Sequence, residues 1–168
     1  MLHSNKCSVT IGRGKEYLRH ADSIQLLWPA RGTVFGYNKR LMISLPCRRA
    51  RSDRGYKVLN VFFLFDTGSP CSYLCHEAIE ALIDKPDANL PEQLVVAVQN
   101  ESLQPMTFHM SPLGTPNHPG KFHDVNVLGM DFLTLHGLSM MVHTPIGQFQ
   151  LVQMDNPSMF AHYPDEDY

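Results

Sequence analysis

Residues 62–65, Phe-Phe-Leu-Phe, are followed directly by the polar sequence Asp66-Thr67-Gly68-Ser69. The apolar run is typical of a buried strand, and the glycine after it allows a sharp turn. A carboxylate at the end of such a strand is costly to bury as a charge, so it is usually paired, hydrogen-bonded or used in chemistry. Two interpretations stay open on this motif alone: a functional carboxylate, or a capped turn after a core strand.

The chain is long enough for one domain with flanking segments, since it has 168 residues. Hydrophobic residues make up 43% and charged residues 18%, with a net charge of -2, which excludes a wholly disordered chain. Residues 1–57 hold 12 of the 14 Lys and Arg residues but only three acids. We therefore predict a basic extension at residues 1–33, a domain at residues 34–153 and an acidic tail at residues 154–168.

Four cysteines, at positions 7, 47, 71 and 75, could form two disulfides. Residues 1–19 lack the apolar segment of a secretory signal, so the sequence predicts reduced thiols in the cytoplasm. No apolar run reaches the roughly 20 residues that cross a bilayer, so no membrane insertion is expected. Cys71, Cys75 and His76 have no further ligand nearby, and neither a metal nor another cofactor is expected.

Alternating and apolar segments predict three hairpins. The first joins residues 40–45 to 56–65 around a basic tip, the second joins 94–98 to 106–110, and the third joins 138–142 to 148–152. Apolar residues three and four positions apart predict a helix over residues 73–83, and a helix-like stretch after Gly129 stops at Gly137. The arginine-rich tip at residues 47–55 has two interpretations, an RNA contact or a solvated loop.

A second motif runs from Val125 through Asn126-Val127-Leu128-Gly129-Met130-Asp131-Phe132 to Leu133, with Gly129 63 positions after Asp66. Together the two motifs resemble those of the retropepsins, the single-domain aspartic proteases of retroviruses, LTR retrotransposons and their cellular relatives. The second motif is closest to the Ty3/gypsy retrotransposon form. The resemblance covers residues 37–153. It implies a mostly β fold, a closed acid-protease β-barrel with one or two short helices, in which the Gly129 strand passes beside the Asp66 loop.

The resemblance also implies which residues form the site. Asp66 is the expected catalytic residue, and Thr67, Gly68 and Ser69 are expected to support its loop. The expected substrate-binding residues are Val125, Val127, Gln99 and Asn100. The last two lie at the tip of the middle hairpin, which is expected to close over an extended peptide. That tip, residues 99–104, contains no glycine, unlike the mobile flap of family members.

Aspartic proteases activate a water between two carboxylates, and this chain has a single Asp-Thr-Gly motif. The resemblance therefore implies a homodimer in which two copies of Asp66 share one proton. The expected activity is cleavage of extended peptides or a polyprotein, with hydrophobic residues around the scissile bond. Because the tip lacks glycine, a retropepsin-like dimer that binds without turnover is the alternative. Nucleic-acid association through the basic first third would accompany either activity.

Overall fold

The computed structural model describes residues 16–21, 28–50, 57–84, 89–99, 104–112 and 124–153. Within these ranges the chain forms nine strands and two α-helices. The strands are β1 Ala30–Phe35, β2 Arg40–Arg49, β3 Leu59–Phe65, β4 Tyr73–Leu74, β5 Gln93–Val98, β6 Met106–Met110, β7 Asn126–Leu128, β8 Leu138–His143 and β9 Gln148–Gln153. The helices are α1 His76–Ile83 and α2 Met130–His136, and a 3-10 turn, Thr144–Ile146, joins β8 to β9.

Six of the strands close into a barrel. Their order around the ring is β2, β3, β7, β4, β6 and β5, and β5 pairs with β2 to complete it. The β3–β7 and β4–β6 pairs are parallel and the other neighbours are antiparallel. Strands β1, β9 and β8 extend from β2 as an antiparallel sheet. The prediction of a mostly β fold with a closed barrel and two short helices is confirmed.

The barrel interior is filled by one side-chain set from each strand. Along β2 the alternate residues Ile43, Leu45 and Cys47 are almost fully buried, as the two-residue repeat of a strand requires. Phe63 of β3 and Phe108 of β6 face each other with ring centroids 5.8 Å apart. Each such buried side chain contributes about 1.5–3 kcal/mol relative to its exposed state, so this core stabilises the strands that carry the site.

Helix α1 begins three residues later than the sequence predicts. Tyr73 and Leu74 form β4 instead, because they pair in parallel with β6 while Tyr73 also pairs with β7. The helix packs Ala78, Ile79 and Leu82 on the core, which matches the predicted apolar spacing. The helix ends at Ile83, and the next residue, Asp84, caps it with a left-handed backbone conformation.

Strand β2 continues through Pro46, where the sequence predicts that it ends. The carbonyl of Pro46 faces β5 and accepts a hydrogen bond from the Gln99 N–H at 2.8 Å. In a strand the N–H and C=O of one residue point to the same side, so the missing N–H of Pro46 falls at the end of the β2–β5 ladder. Arg48 and Arg49 consequently belong to β2, and residues 51–55 of the predicted basic tip lie outside the described residues.

Part of the predicted N-terminal extension is ordered against the barrel. Strand β1 starts at Ala30 and pairs with both β2 and β9, although no strand was predicted there. Residues 16–21 hydrogen-bond to the start of β3. The tail at residues 154–168 lies outside the described ranges. Neither described helix has the length or apolar character to cross a membrane.

Candidate active site

Asp66 lies where β3 leaves the barrel. β3 and β7 run parallel with Phe65 opposite Leu128, and the Asp66 N–H donates to the Leu128 carbonyl at 3.0 Å. This bond continues the ladder by one residue beyond β3. The structure therefore brings the two sequence motifs together, with the strand before Gly129 lying beside the Asp66 loop.

The carboxylate of Asp66 is exposed and held by its own turn. Its Oδ1 accepts a hydrogen bond from the Gly68 N–H at 2.9 Å, and the Ser69 N–H donates to the Asp66 carbonyl at 3.1 Å. The second carboxylate oxygen is not used by these bonds. Asp66 is thus oriented by backbone while one oxygen stays available to a water or substrate. The bond from the Gly68 N–H is that of an Asx turn, which a functional carboxylate and a capped turn share.

Ser69 connects the Asp66 loop to the start of α2. Its hydroxyl donates to the Cys71 carbonyl at 2.6 Å, and its own carbonyl accepts the Met130 N–H at 2.9 Å. Gly129 lies between these contacts. A Cβ atom at Gly129 would overlap the Cys71 carbonyl and lie 2.8 Å from the Ser69 carbonyl oxygen, so only glycine allows this approach.

Asp131, in the first turn of α2, binds the same loop through Ser72, a contact that the sequence did not predict. Its two oxygens accept from the N–H and the hydroxyl of Ser72, at 2.9 and 2.6 Å. The Ser72 hydroxyl oxygen also accepts the Gly129 N–H at 2.9 Å. Asp131 Oδ1 also accepts the Phe132 N–H at 2.8 Å, so the carboxylate is engaged at the start of α2. Ser72, which is fully buried, is a residue of this site that sequence reasoning missed.

An open cleft of about 330 Å³ lies against Asp66. Leu41, Leu64 and Phe65 line its apolar side, where Leu64 and Phe65 are buried and Leu41 is partly exposed, and Asp66 and Thr67 form its polar end. Two cationic residues complete the lining of the cleft: Lys39, in the β1–β2 connection, and Arg40, the first residue of β2. The cleft can therefore receive an apolar group next to an exposed carboxylate.

The two predicted pocket residues of the second motif do not line this cleft. Val127 is buried in β7, opposite Leu64 on one side and Tyr73 on the other. Val125 precedes β7, is half-buried, and accepts a hydrogen bond from the Ser111 hydroxyl through its carbonyl at 3.1 Å. Val127 thus takes part in strand pairing, while Val125 is bonded to the residue that follows β6.

Strands β5 and β6 are part of the barrel wall, and residues 100–103 of the tip that was predicted to cover the site lie outside the described residues. β5 pairs with β2 and β6, and β6 pairs with β5 and β4, so both strands are bonded on both edges. Gln99 is buried and bonds to Pro46, which lies opposite Asn60. Asn60 is six residues before Asp66, about 20 Å along a strand. Asn100 lies outside the described residues.

The thiols of the described residues are free, at Cys47, Cys71 and Cys75. Burial raises the pKa of the Cys47 and Cys75 thiols, so both are poor nucleophiles and poor metal ligands. In the described ranges, no group of three His, Cys, Asp or Glu side chains is placed to hold a metal ion. Within those ranges, Cys71, Cys75 and His76 therefore do not form part of a three-ligand metal site.

Comparison with known proteins returned no matching family model, curated protein or solved structure.

Proposed function

We propose that the protein is an aspartic endopeptidase of the retropepsin type. The observation that carries the proposal is the Asp66 carboxylate, which is exposed in a cleft and oriented by the Gly68 N–H at 2.9 Å. The loop that holds it is fixed by the second motif through Leu128, Gly129 and Met130. A rigid, backbone-oriented carboxylate next to an apolar cleft fits the activation of water for attack on a peptide.

The second carboxylate of the reaction comes from a second copy of the chain. Aspartic protease chemistry needs two carboxylates close together, which share one proton because both cannot be ionised at that distance. The ionised partner takes a proton from water, and the protonated partner donates a hydrogen bond to the scissile carbonyl as negative charge develops on its oxygen. Asp66 is the only carboxylate among the described residues that line the cleft. A C2 dimer with its axis at Asp66 supplies the pair.

An exposed apolar surface near the cleft supports this dimer. We call it the hairpin patch; it consists of Phe35, Tyr37, Met141 and Ile146, which are each at least 59% exposed. Its two parts are joined, since the Val34 N–H donates to the Gly147 carbonyl at 2.8 Å. Phe35 also pairs with Arg40, which lines the cleft. Strand β8 carries Met141 of the patch and is paired on one edge only within the described sheet.

The substrate is an extended peptide with hydrophobic side chains beside the scissile bond. The partly exposed Leu41 offers apolar surface to such a side chain, and the burial of that side chain contributes about 25 cal/mol per Å² removed from water. Thr67 lies at the polar end of the cleft, next to Asp66, where it can contact the partner copy. Neither a metal nor a cofactor takes part in this chemistry.

One observation favours the second candidate, a protease-like dimer that binds peptides without cleaving them. The tip of the β5–β6 hairpin, residues 99–104, contains no glycine, so it would close over the Asp66 cleft less readily than a glycine-rich tip. Water exclusion strengthens the electrostatic interactions of a site, so a cleft that stays open would bind better than it catalyses.

Hydrolysis of a hydrophobic peptide library at mildly acidic pH tests the proposal, with the Asp66→Asn variant as the matched control. Asn keeps an oxygen for the Gly68 N–H but cannot share a proton, so we expect the rate to fall at least about a thousandfold while the far-UV circular dichroism spectrum is unchanged. Pepstatin should inhibit the wild-type protein. Wild-type rates in the Asn variant would refute the assignment, and peptide binding without cleavage would favour the second candidate.

A further inference from the structure

The segment at residues 16–21 is hydrogen-bonded to residues 58 and 60, at the start of β3. The Leu18 N–H donates to the Asn60 carbonyl at 2.8 Å, and the Asn60 N–H donates back to the Arg19 carbonyl at 2.9 Å. The Ala21 N–H donates to the Val58 carbonyl at 2.8 Å. These three bonds are made by backbone and therefore fix the segment whatever its side chains are.

Tyr17 reaches from this segment into a buried polar cluster. Its ring packs on Phe62, with centroids 5.5 Å apart. Its hydroxyl accepts a hydrogen bond from Asn126 Nδ2 at 3.0 Å and lies 3.4 Å from Cys75 Sγ. Burial raises the pKa of Tyr17 well above its usual range, so the hydroxyl stays neutral and keeps this role across the working pH range.

Asn126 uses every hydrogen-bonding group of its side chain. Oδ1 accepts from the Cys75 N–H at 2.9 Å, and Nδ2 donates to the Phe62 carbonyl at 3.1 Å as well as to Tyr17. Asn126 is only 3% exposed, so no water replaces a lost partner readily. Removal of the Tyr17 hydroxyl would leave one amide N–H unpaired inside the protein.

The cluster is connected to the Asp66 loop through β7. Asn126 ties β7 to β3 through Phe62 and ties β7 to the start of α1 through Cys75. Two residues after Asn126, the Leu128 carbonyl accepts the Asp66 N–H. The position of Asn126 thus sets how β7 presents Leu128 and Gly129 to the Asp66 turn.

We propose that Tyr17 is a positioning residue for Asp66, acting through Asn126 and β7. This inference rests on the proposed function for its catalytic meaning, but its structural part does not. The segment at residues 16–21 is then a working part of the site, although it lies 45 or more positions before Asp66 in the sequence. A chain that kept the barrel and lost this segment would hold Asp66 less firmly.

The test compares Tyr17→Phe with Arg19→Ala in the full-length chain. Phe keeps the ring contact with Phe62 and removes only the hydroxyl. Arg19 lies on the same segment, and its ion pair with Glu16 at 2.7 Å is exposed, so its loss should change little. Amide hydrogen exchange is measured residue by residue, and peptide hydrolysis is measured on the same samples.

We expect Tyr17→Phe to speed exchange of the Asp66 and Gly68 amides about tenfold or more, while the amides of β8 and β9 exchange as in the wild-type protein. The kcat should fall about tenfold with KM changed less than twofold, because positioning acts on the reacting groups more than on binding. Arg19→Ala should match the wild-type protein in both measurements.

Equal acceleration across the whole barrel would show a merely structural role, and unchanged exchange at Asp66 would show no role; either result overturns the inference. The exchange result does not depend on catalysis. If the wild-type protein cleaves no peptide, the proposed function fails, while local loosening at Asp66 in Tyr17→Phe would still uphold the positional role.

Discussion

At the scale of single residues, Gly129 joins the two motifs that define the site. Its lack of a side chain lets the start of α2 lie against the backbone of residues 69–71. The Met130 N–H can then reach the Ser69 carbonyl at 2.9 Å. Any side chain at this position would push the Asp66 loop away from β7.

We predict that Gly129→Ala destabilises the protein by about 3 kcal/mol, since overpacking against rigid backbone costs that order of free energy. The control is Gly36→Ala, at a position with φ of +70° and open space around it, where only backbone strain of about 1 kcal/mol is expected. Urea unfolding followed by circular dichroism measures both. Equal destabilisation of the two variants would mean that the approach at Gly129 is not tight.

The residues found by sequence reasoning are those whose chemistry depends on near neighbours. Asp66 and Gly68 lie in one turn and bond to each other, so a four-residue pattern suffices to predict them. Ser72, Asn126 and Tyr17 act through partners 51 to 109 positions away, and no local pattern specifies such contacts. Val125 and Val127 were placed in pockets by resemblance, whereas pairing with Leu64 and Tyr73 buries Val127 in the barrel wall.

At the scale of elements, α2 is the helix that carries Asp131, which binds the Asp66 loop through Ser72. It packs Phe132 and Leu133 into the core, and the buried ring of His136 meets Phe132 edge-on at 4.8 Å. Burial lowers the pKa of His136, although the nearby Asp131 acts in the opposite direction. The folded protein therefore prefers neutral His136.

This preference predicts acid sensitivity. A histidine with a lowered pKa in the folded state leaves the unfolded chain binding more protons, so stability is lost as pH falls below the ordinary value of 6.5. The slope is at most about 1.4 kcal/mol per pH unit, the limit for one proton. Unfolding free energies of wild type and His136→Gln should converge as pH is lowered from 7.5 to 5.

The control for this measurement is His143→Gln, at the exposed end of β8. The free energy of unfolding of this variant should depend on pH as that of the wild-type protein does. If His136→Gln shows the same pH dependence too, acid sensitivity does not come from α2.

Most elements could be predicted from the sequence, and the errors share one cause. The strands of all three hairpins and α2 have local patterns that the structure confirms. Strand β1 has no such pattern, since it is stabilised by pairing with β2 and β9. The β5–β6 hairpin was predicted correctly as a hairpin, but its place in the wall depends on pairing with β2 and β4, which the sequence does not specify.

At the scale of the whole molecule, the barrel presents one Asp66 at one end, close to the hairpin patch. The cleft and the patch are linked through the Phe35–Arg40 pair. The sequence could predict a β-rich domain and, by resemblance, a dimer. It could not predict the hairpin patch, because strands β1 and β8 join one sheet only by pairing with β9.

The central claim is that catalysis needs one Asp66 from each of two chains. The most direct measurement is peptide hydrolysis by wild-type protein mixed with Asp66→Asn, at a fixed wild-type concentration, after unfolding and joint refolding. If mixed dimers are inactive, an equal mixture retains about half of the activity of the unmixed sample, and excess variant lowers it further. Activity that stays constant as the variant is added would show that each chain works alone and would contradict the account.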